Sequence, residues 1–261
     1  MTTALDDQTT AEWMETIARS AIYALLSHAI SYPTADRIDA LRTEIRPLLT
    51  EVAMDDDELG HALHAVLNSL DAPLTDLQHA FDMQFSHITS PDCPAHETAF
   101  SIRDVFQQAQ VMADIAGFFG AHGVEVGATE KERPDHIGAE LEFMSLLARK
   151  EAHAIQGGLI EQLDEVQRTQ TMFLRDHLGC WGPSFGRRVS QLAESPLYKS
   201  AGELLTRWLE ADMTALAVEP AFDLDEPAPM PLQESDDDPC DVGGAPCGAT
   251  EDQLIDIESI K

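Results

Sequence analysis

The sequence predicts an all-α protein with one globular domain of about ten helices. Apolar residues recur every three or four positions through most of residues 11–218, and this spacing gives a helix one buried face. No stretch alternates apolar and polar residues over the length of a β-strand. Proline and glycine separate the helical stretches, so we expect helices joined by short loops, as in a helical bundle.

The first half of the domain is predicted to hold four helices. The first begins near Ala11 and ends at Tyr32-Pro33, because proline cannot continue a helix. Pro73 opens the fourth helix, and the turn-forming residues 86–97 follow it as a loop. The four predicted helices cover residues 11–32, 35–50, 56–70 and 75–85.

The second half of the domain is predicted to hold five more helices. Gly123 and the pair Gly157-Gly158 follow helical stretches, and glycine is favoured just beyond the C-terminus of a helix. These five helices cover residues 98–107, 109–122, 134–156, 160–178 and 196–216.

The two ends of the chain differ in composition from the helical domain at residues 11–218. Residues 1–10 are polar and acidic, and we expect them to form a disordered lead-in. Residues 219–261 are rich in proline and contain thirteen acidic residues against a single lysine. Because such a segment buries too little apolar surface to offset the entropy lost on ordering, we predict an acidic, proline-rich, disordered tail.

The net charge of −31 is the strongest signal in the composition. It argues against nucleic-acid binding, which needs clustered lysine and arginine to neutralise phosphates. The chain has four lysines and twelve arginines. Two interpretations of this acidic, lysine-poor composition remain open: adaptation to high salt, and a surface that attracts a basic partner.

The sequence also bears on compartment and on cysteine chemistry. No apolar run approaches the ~18 residues of a membrane span, and no basic and apolar leader of the signal-peptide type is visible. We therefore expect a cytoplasmic protein without membrane insertion. Four cysteines in 261 residues do not make a disulfide framework. Cys240 and Cys247 are either inert thiols or members of a metal or disulfide site.

The segment 132–144 carries the most informative cluster of polar residues. Asp135 follows a proline and precedes a long helical pattern, which is where a helix N-cap is expected. His136 and Glu140 are four residues apart and share a helix face, whereas Glu142 lies well round from it. Three interpretations remain open: a capped structural corner, a ligand- or peptide-recognition corner, and a metal site that uses His136 and Glu140.

Two further observations limit the function. The helix at 75–85 carries Phe81, Met83 and Phe85, which form either a groove for a partner peptide or an ordinary core stripe. The sequence has no Gly-x-Ser-x-Gly motif, no glycine-rich phosphate loop and no second Glu-x-x-His in a matching helix. We therefore predict that the protein is not an enzyme and needs neither a cofactor nor a metal.

Six segments stand out in order over roughly residues 14–215. They are Tyr32-Pro33, Phe81-Asp-Met-Gln-Phe85, Pro94-Ala-His-Glu-Thr-Ala-Phe100, Ala113-Asp-Ile-Ala-Gly-Phe-Phe119, the segment from Pro134 to Phe143, and Phe173-Leu-Arg-Asp-His-Leu-Gly-Cys-Trp181. Taken in order, these segments resemble the TorD/DmsD/NarJ family of redox-enzyme maturation chaperones, and the strongest match is the one from Pro134 to Phe143. Gln84 stands where the family usually has leucine, and His96 where it has tyrosine.

This resemblance implies a function. Such proteins are all-helical and bind the twin-arginine signal peptide, or the apo catalytic subunit, of a molybdopterin enzyme of the dimethyl sulfoxide reductase type. They hold this client in the cytoplasm until its cofactor is inserted and its assembly is complete. The resemblance also implies a monomer or a domain-swapped dimer.

Carried over by position, Asp135 and His136 would lie at the client pocket, and Phe81 and Phe85 would line its apolar side. Carboxylates at the pocket would bind the paired guanidinium groups of the signal peptide. The predicted site comprises Asp135, His136, Glu140, Glu142, Phe81, Met83 and Phe85, with weaker structural or binding roles for Tyr32, Glu97 and Trp181.

Two other functions compete with the chaperone prediction. One is a helical metal-binding protein that uses His136 and Glu140. The other is an assembly factor that acts mainly through its acidic tail at residues 219–261.

Overall fold

The structure is a computed structural model, and it describes residues 7–51, 58–85, 93–101, 105–124, 133–222 and 224. These residues form eleven α-helices and two π-helical turns, with no β-strand among them, so the all-α prediction is confirmed. The π-helical turns are Leu41–Ile45 and Leu174–Leu178. The helices are α1 (Asp7–Ile30), α2 (Ala35–Ala40), α3 (Arg46–Glu51), α4 (Glu58–Ser69), α5 (Leu74–Phe85), α6 (Glu97–Ser101), α7 (Val105–Ala121), α8 (Ile137–Gly157), α9 (Ile160–Phe173), α10 (Gly179–Leu192) and α11 (Pro196–Ala215).

The first helix begins earlier than the sequence predicts. It starts at Asp7, so residues 7–10 of the predicted disordered lead-in are helical. Asp7 lies in the first turn, where a carboxylate interacts favourably with the helix dipole. Residues 1–6 lie outside the described residues.

The chain also continues in contact with the domain beyond the predicted boundary at Val218. The backbone N–H of Ala221 donates to the carbonyl of Arg175 at 2.8 Å, and that of Leu224 donates to the carbonyl of Cys180 at 3.1 Å. Residues 219–222 and 224 are therefore attached to the domain rather than part of a disordered tail. The described residues belong to one unit that ends at Pro229, and the tail residues 230–261 lie outside the described part of the chain.

Helix α10 is the element that the sequence did not predict. Three glycines and Pro183 interrupt its apolar pattern, and such residues normally predict a loop. In the structure these glycines allow close packing against α11. A Cβ atom on Gly186 would lie 2.8 Å from the carbonyl oxygen of Gly202, and one on Gly202 would lie 2.5 Å from that of Gly186. Helix packing therefore overrides the weak intrinsic helix propensity of this segment.

The core is built around α1 and α11. Helix α1 packs against α8, and α11 packs against α10, α4 and α1. No described helix is both long and apolar enough to cross a membrane. Aliphatic residues and alanine dominate the buried set, as the low aromatic content of the sequence requires. The largest fully buried side chains are Trp181, Tyr23, Tyr198, Phe173 and Phe185.

A buried polar network joins four helices at the centre of this core. Nε of Arg19 on α1 donates to Oδ1 of Asp212 on α11 at 2.8 Å, and Nη1 donates to Oε2 of Glu151 on α8 at 2.9 Å. Nη2 of Arg19 also donates to Oε1 of Gln170 on α9 at 3.0 Å. The hydroxyl of Tyr23 donates to Asp212 at 2.6 Å, and burial, followed by the charge of Asp212, raises the pKa of Tyr23 well above its usual value. Each carboxylate is thus paired and hydrogen-bonded, as buried charges require.

The close approach of α10 and α11 predicts that alanine at Gly202 destabilises the fold, whereas alanine at a glycine with open space around it does not. Gly202→Ala should lower the free energy of unfolding by about 2–3 kcal/mol, because its methyl group has to push two backbones apart. Gly117→Ala on α7 is the matched control, since no atom lies within 4 Å of its added Cβ. It should raise the free energy of unfolding by about 0.5–1 kcal/mol. Urea denaturation followed by circular dichroism measures both, and equal effects would contradict the packing described.

Candidate functional site

Two of the sequence motifs meet at an isolated antiparallel bridge between His96 and His136. The backbone N–H of Glu97 donates to the carbonyl of Asp135, and that of Ile137 donates to the carbonyl of Ala95, both at 2.9 Å. The imidazole rings of His96 and His136 are 5.2 Å apart in an edge-to-face arrangement. The bridge therefore aligns the start of α6 with the start of α8.

Asp135 is fully buried and caps a different helix from the one the sequence predicts. Its Oδ2 accepts from the hydroxyl of Thr98 at 2.7 Å and from the backbone N–H of Thr98 at 3.3 Å, in the first turn of α6. Nε of Arg133 donates to Oδ1 at 2.9 Å, and Nη2 donates to Oδ2 at 2.7 Å. The carboxylate thus has a bidentate guanidinium on one side and a helix N-terminus on the other.

His136, and not Asp135, is the N-cap of α8. Its Nδ1 accepts from the backbone N–H of Gly138 at 3.1 Å, and its backbone is extended, as an N-cap residue requires. The bridge to residues 95–97 turns the side chain of Asp135 towards α6 and leaves the capping position to the next residue. The cap needs an unprotonated Nδ1, so it also fixes the tautomer of a neutral ring.

Glu140 is fully buried in the first turn of α8. The indole N–H of Trp181 donates to its Oε2 at 3.2 Å, whereas no donor among the described residues reaches Oε1. Burial, followed by the negative charge of Glu97, raises the pKa of Glu140 well above its usual value. A protonated Glu140 can donate a hydrogen bond to Glu97, and this adds to the upward shift of the pKa of Glu140.

Glu97 connects this acid pair to an imidazole. Nδ1 of His177 lies 3.1 Å from Oε2 of Glu97, and both side chains are buried. Nε2 of the same ring lies 3.3 Å from Oδ2 of Asp114, which is exposed on α7. Burial by itself disfavours the imidazolium, but the hydrogen bond and charge of Glu97, helped by Asp114, raise the pKa of His177 above its ordinary value. We call Glu97, Asp135, Glu140 and His177 the polar cluster.

An aromatic cluster runs from the surface to this polar cluster. The ring of Tyr32, which is 44% exposed, lies 5.3 Å from that of Phe81, and Phe81 lies 5.0 Å from Phe85. Phe85 and Trp181 then pack on Phe185, with centroids at 6.5 and 5.6 Å. The members of the aromatic cluster are Tyr32, Phe81, Phe85, Tyr198, Phe185, Trp181 and Phe100.

Trp181 joins the two clusters, because its ring packs in the aromatic cluster and its N–H binds Glu140. The structure therefore brings Asp135, His136, Glu140, Glu97 and Trp181 into one region, with Phe81, Phe85 and Tyr32 connected to it. Two predicted site residues are placed elsewhere. Glu142 is exposed on α8, and Met83 is 56% exposed and lies about 200° round α5 from Phe81.

The geometry bears on the metal interpretation of this segment. The carboxylate of Glu140 faces Trp181, and Nδ1 of His136 is used by the cap of α8. Among the residues that the structure describes, no group of three or more His, Cys, Asp or Glu side chains is arranged to hold a metal ion.

Sequence reasoning missed the partners of the acidic residues. Thr98 and His177 both lie inside segments that stand out in the sequence. Nothing in their spacing shows that Thr98 faces Asp135 or that His177 faces Glu97. Asp114 and Phe185 lie on helices that are distant in the sequence, so their contacts depend on the packing of α7 and α10. An i,i+4 spacing between His177 and Trp181 was the available signal, because it puts both side chains on one helix face.

Comparison with known proteins finds a matching family and several similar chains. Residues 50–187 match the family described as the nitrate reductase delta subunit. Over 111 residues the chain is 32% identical to the chaperone protein TorD of Vibrio cholerae, a match that covers 41% of this chain and 46% of that protein. The chain thus spans about half the length of this relative.

Two further similarities extend over more of the chain. It is 26% identical to the perchlorate reductase assembly chaperone protein of Dechloromonas aromatica over 227 residues, which cover 82% of this chain and 97% of that protein. A solved structure from Archaeoglobus fulgidus, described as a redox enzyme maturation protein, is 21% identical with a TM-score of 0.48 and covers 73% of this chain and 93% of its own.

The polar cluster predicts that stability falls as the pH rises. In the unfolded chain Glu140 loses its proton near pH 4.5, whereas the folded protein retains it to higher pH, so its contribution is lost between these two values. The raised pKa of His177 acts in the same direction, because its contribution is complete below its ordinary value of 6.5 and is lost above it. Each of these two groups changes the free energy of unfolding by at most about 1.4 kcal/mol per pH unit.

Glu140→Gln tests this prediction. Glutamine keeps an acceptor for Trp181 and a donor for Glu97 but cannot ionise, so the free energy of unfolding should fall less steeply between pH 5 and 9. Glu142→Gln, on the exposed face of the same helix, should leave the slope unchanged. Urea titrations at each pH measure the slopes, and parallel curves for wild type and Glu140→Gln would show that Glu140 carries no proton in the fold.

Proposed function

Because the chain belongs to the nitrate reductase delta subunit family, we propose that it is a cytoplasmic, system-specific chaperone for one redox enzyme. It binds the twin-arginine signal peptide, the apo catalytic subunit, or both, of a molybdopterin enzyme of the dimethyl sulfoxide reductase type. It holds this client until the cofactor is inserted, before export or assembly. The relatives named above are chaperones and assembly proteins rather than catalysts, which agrees with the prediction that the protein is not an enzyme.

The observation that carries this proposal is the aromatic cluster that opens at the surface and ends at the polar cluster. Tyr32 is 44% exposed, and Phe81 and Phe85 are half-buried, so an apolar segment can pack against their free edges. Aromatic side chains supply large contact areas at a small cost in conformational entropy. The apolar stretch that follows the paired arginines of a signal peptide has this chemistry.

The basic half of such a peptide would meet the corner formed by Asp135 and His136. Asp135 holds a guanidinium in bidentate geometry in the structure, which is the pairing that a peptide arginine makes with a carboxylate. The net charge of −31 would attract the arginines from a distance and raise the association rate. Salt screens this attraction, so at high ionic strength the aromatic contacts would carry more of the affinity.

The remaining predicted residues take different roles in this proposal. Glu140 is buried, so it would position Trp181 and Glu97 rather than contact the peptide. Glu142 and Met83 are exposed on faces away from the aromatic cluster, so Glu142 would contribute through its charge and Met83 through contact with the mature part of the client.

Affinity purification of the tagged protein from its native cells, followed by mass spectrometry, tests the proposed function. Recovery of a molybdopterin-enzyme catalytic subunit with its signal peptide uncleaved would support it and would identify the client. Recovery of no such subunit, at the salt concentration of the cell and against a tag-only sample, would contradict it.

Substitution of Tyr32 tests the aromatic contact. Tyr32→Ala should weaken binding of the client's signal peptide about tenfold, since truncating an aromatic anchor at an interface typically costs about 1–2 kcal/mol. Tyr32 is exposed, so the fold should tolerate this change. Ile160→Ala at the start of α9 is the matched control, because its side chain is 72% exposed and lies outside both clusters. Isothermal titration calorimetry that finds equal affinities for Tyr32→Ala and wild type would contradict this role.

A further inference from the structure

Arg133 closes over the carboxylate that the proposed function assigns to the client. Its Nε and Nη2 donate to the two oxygens of Asp135 at 2.9 and 2.7 Å. Nη2 also donates to the hydroxyl of Thr98 at 2.7 Å, and this hydroxyl in turn donates to Asp135 at 2.7 Å. The guanidinium therefore fills a site with two carboxylate oxygens and one hydroxyl oxygen, all arranged for its planar group of donors.

The burial of the two partners is unequal. Asp135 is fully buried, whereas the side chain of Arg133 is 44% exposed. Oδ2 is also bound by Thr98, but among the described residues Oδ1 accepts from Arg133 alone. A buried carboxylate that loses its cation is destabilised, so a guanidinium at this position stabilises the corner around Asp135. The cation therefore stands on the solvent side of the carboxylate.

These contacts make a direct approach of a second arginine to Asp135 impossible while Arg133 is in place. A client arginine therefore has to replace Arg133 rather than add to it. Exchange of one guanidinium for another leaves the buried carboxylate paired in both end states, so the difference in free energy between these two states is small. The displaced Arg133 moves into water, where its charge is well solvated.

We propose that Arg133 is an internal placeholder for a client guanidinium at Asp135, and that the peptide binds by displacing it. This inference rests on the proposed function. Because Arg133 is covalently tethered, it competes with the peptide at a high effective concentration and lowers the apparent affinity. The site selects arginine over lysine, since a lysine ammonium cannot bind both carboxylate oxygens and Thr98 in one plane. Arg133 thus prevents stable binding of peptides that match the site only weakly.

Binding of two synthetic peptides to the full chain tests the placeholder. One peptide carries paired arginines followed by an apolar stretch, and the other has paired lysines in their place. Arg133→Ala should bind the arginine peptide about fivefold to tenfold more tightly than wild type does, which corresponds to about 1 kcal/mol. It should show no comparable gain for the lysine peptide. Arg207→Ala is the control for net charge, because Arg207 pairs with Glu58 at an exposed site on α11 and α4.

The outcomes separate the two proposals. Wild-type affinity or weaker binding by Arg133→Ala, while wild type binds the arginine peptide, overturns the placeholder and leaves the proposed function standing. Equal gains for both peptides, or an equal gain in Arg207→Ala, also overturn it, because a general charge effect would then be responsible. Failure of wild type to bind either peptide contradicts signal-peptide binding itself.

If Arg133→Ala does not fold, the Arg133→Lys variant replaces it in the test. A tighter complex of this variant with the arginine peptide supports the placeholder, and an unchanged or weaker complex overturns it.

Discussion

A single buried carboxylate, Asp135, organises the corner on which the candidate site depends. It caps α6 through Thr98, and its own carbonyl accepts from Glu97, so it positions Glu97 towards His177. A buried charge of this kind is stable only with a cation and further hydrogen bonds, and Arg133 and Thr98 supply them. The constraint links two segments that are 37 residues apart in the sequence.

The polar and aromatic clusters form one connected arrangement rather than two neighbouring sites. Trp181 contacts both, and the π-helical turn before α10 carries His177 on the same helix face. A change in the protonation of Glu140 therefore acts directly on the residue that supports Phe185 and, through it, Phe85. The chemistry of the proposed client, basic at one end and apolar at the other, matches this succession from carboxylate to aromatic rings.

The sequence contained enough information for the fold class and for several segments that lie close together in the structure, but not for the orientation of their side chains. Helical periodicity identified α1 and α8, because their buried faces follow a regular spacing. It failed for α10, whose Gly186 packs closely against Gly202 on another helix. Asp135 was expected to cap α8, yet the backbone bridge to residues 95–97 turns it towards α6. Such long-range pairing leaves no periodic signal in a single sequence.

The π-helical turn at Leu174–Leu178 has a consequence for where this protein can be shortened. Its Arg175 carbonyl accepts the backbone N–H of Ala221 and the thiol of Cys180, so the last described residues complete the turn that carries His177. Deletion of everything after Val218 would leave this carbonyl with one donor fewer and would expose Cys180 on α10 and Met213 on α11. A shortened chain should therefore keep at least the residues through Leu224, six residues past the point where the change in composition suggests a border.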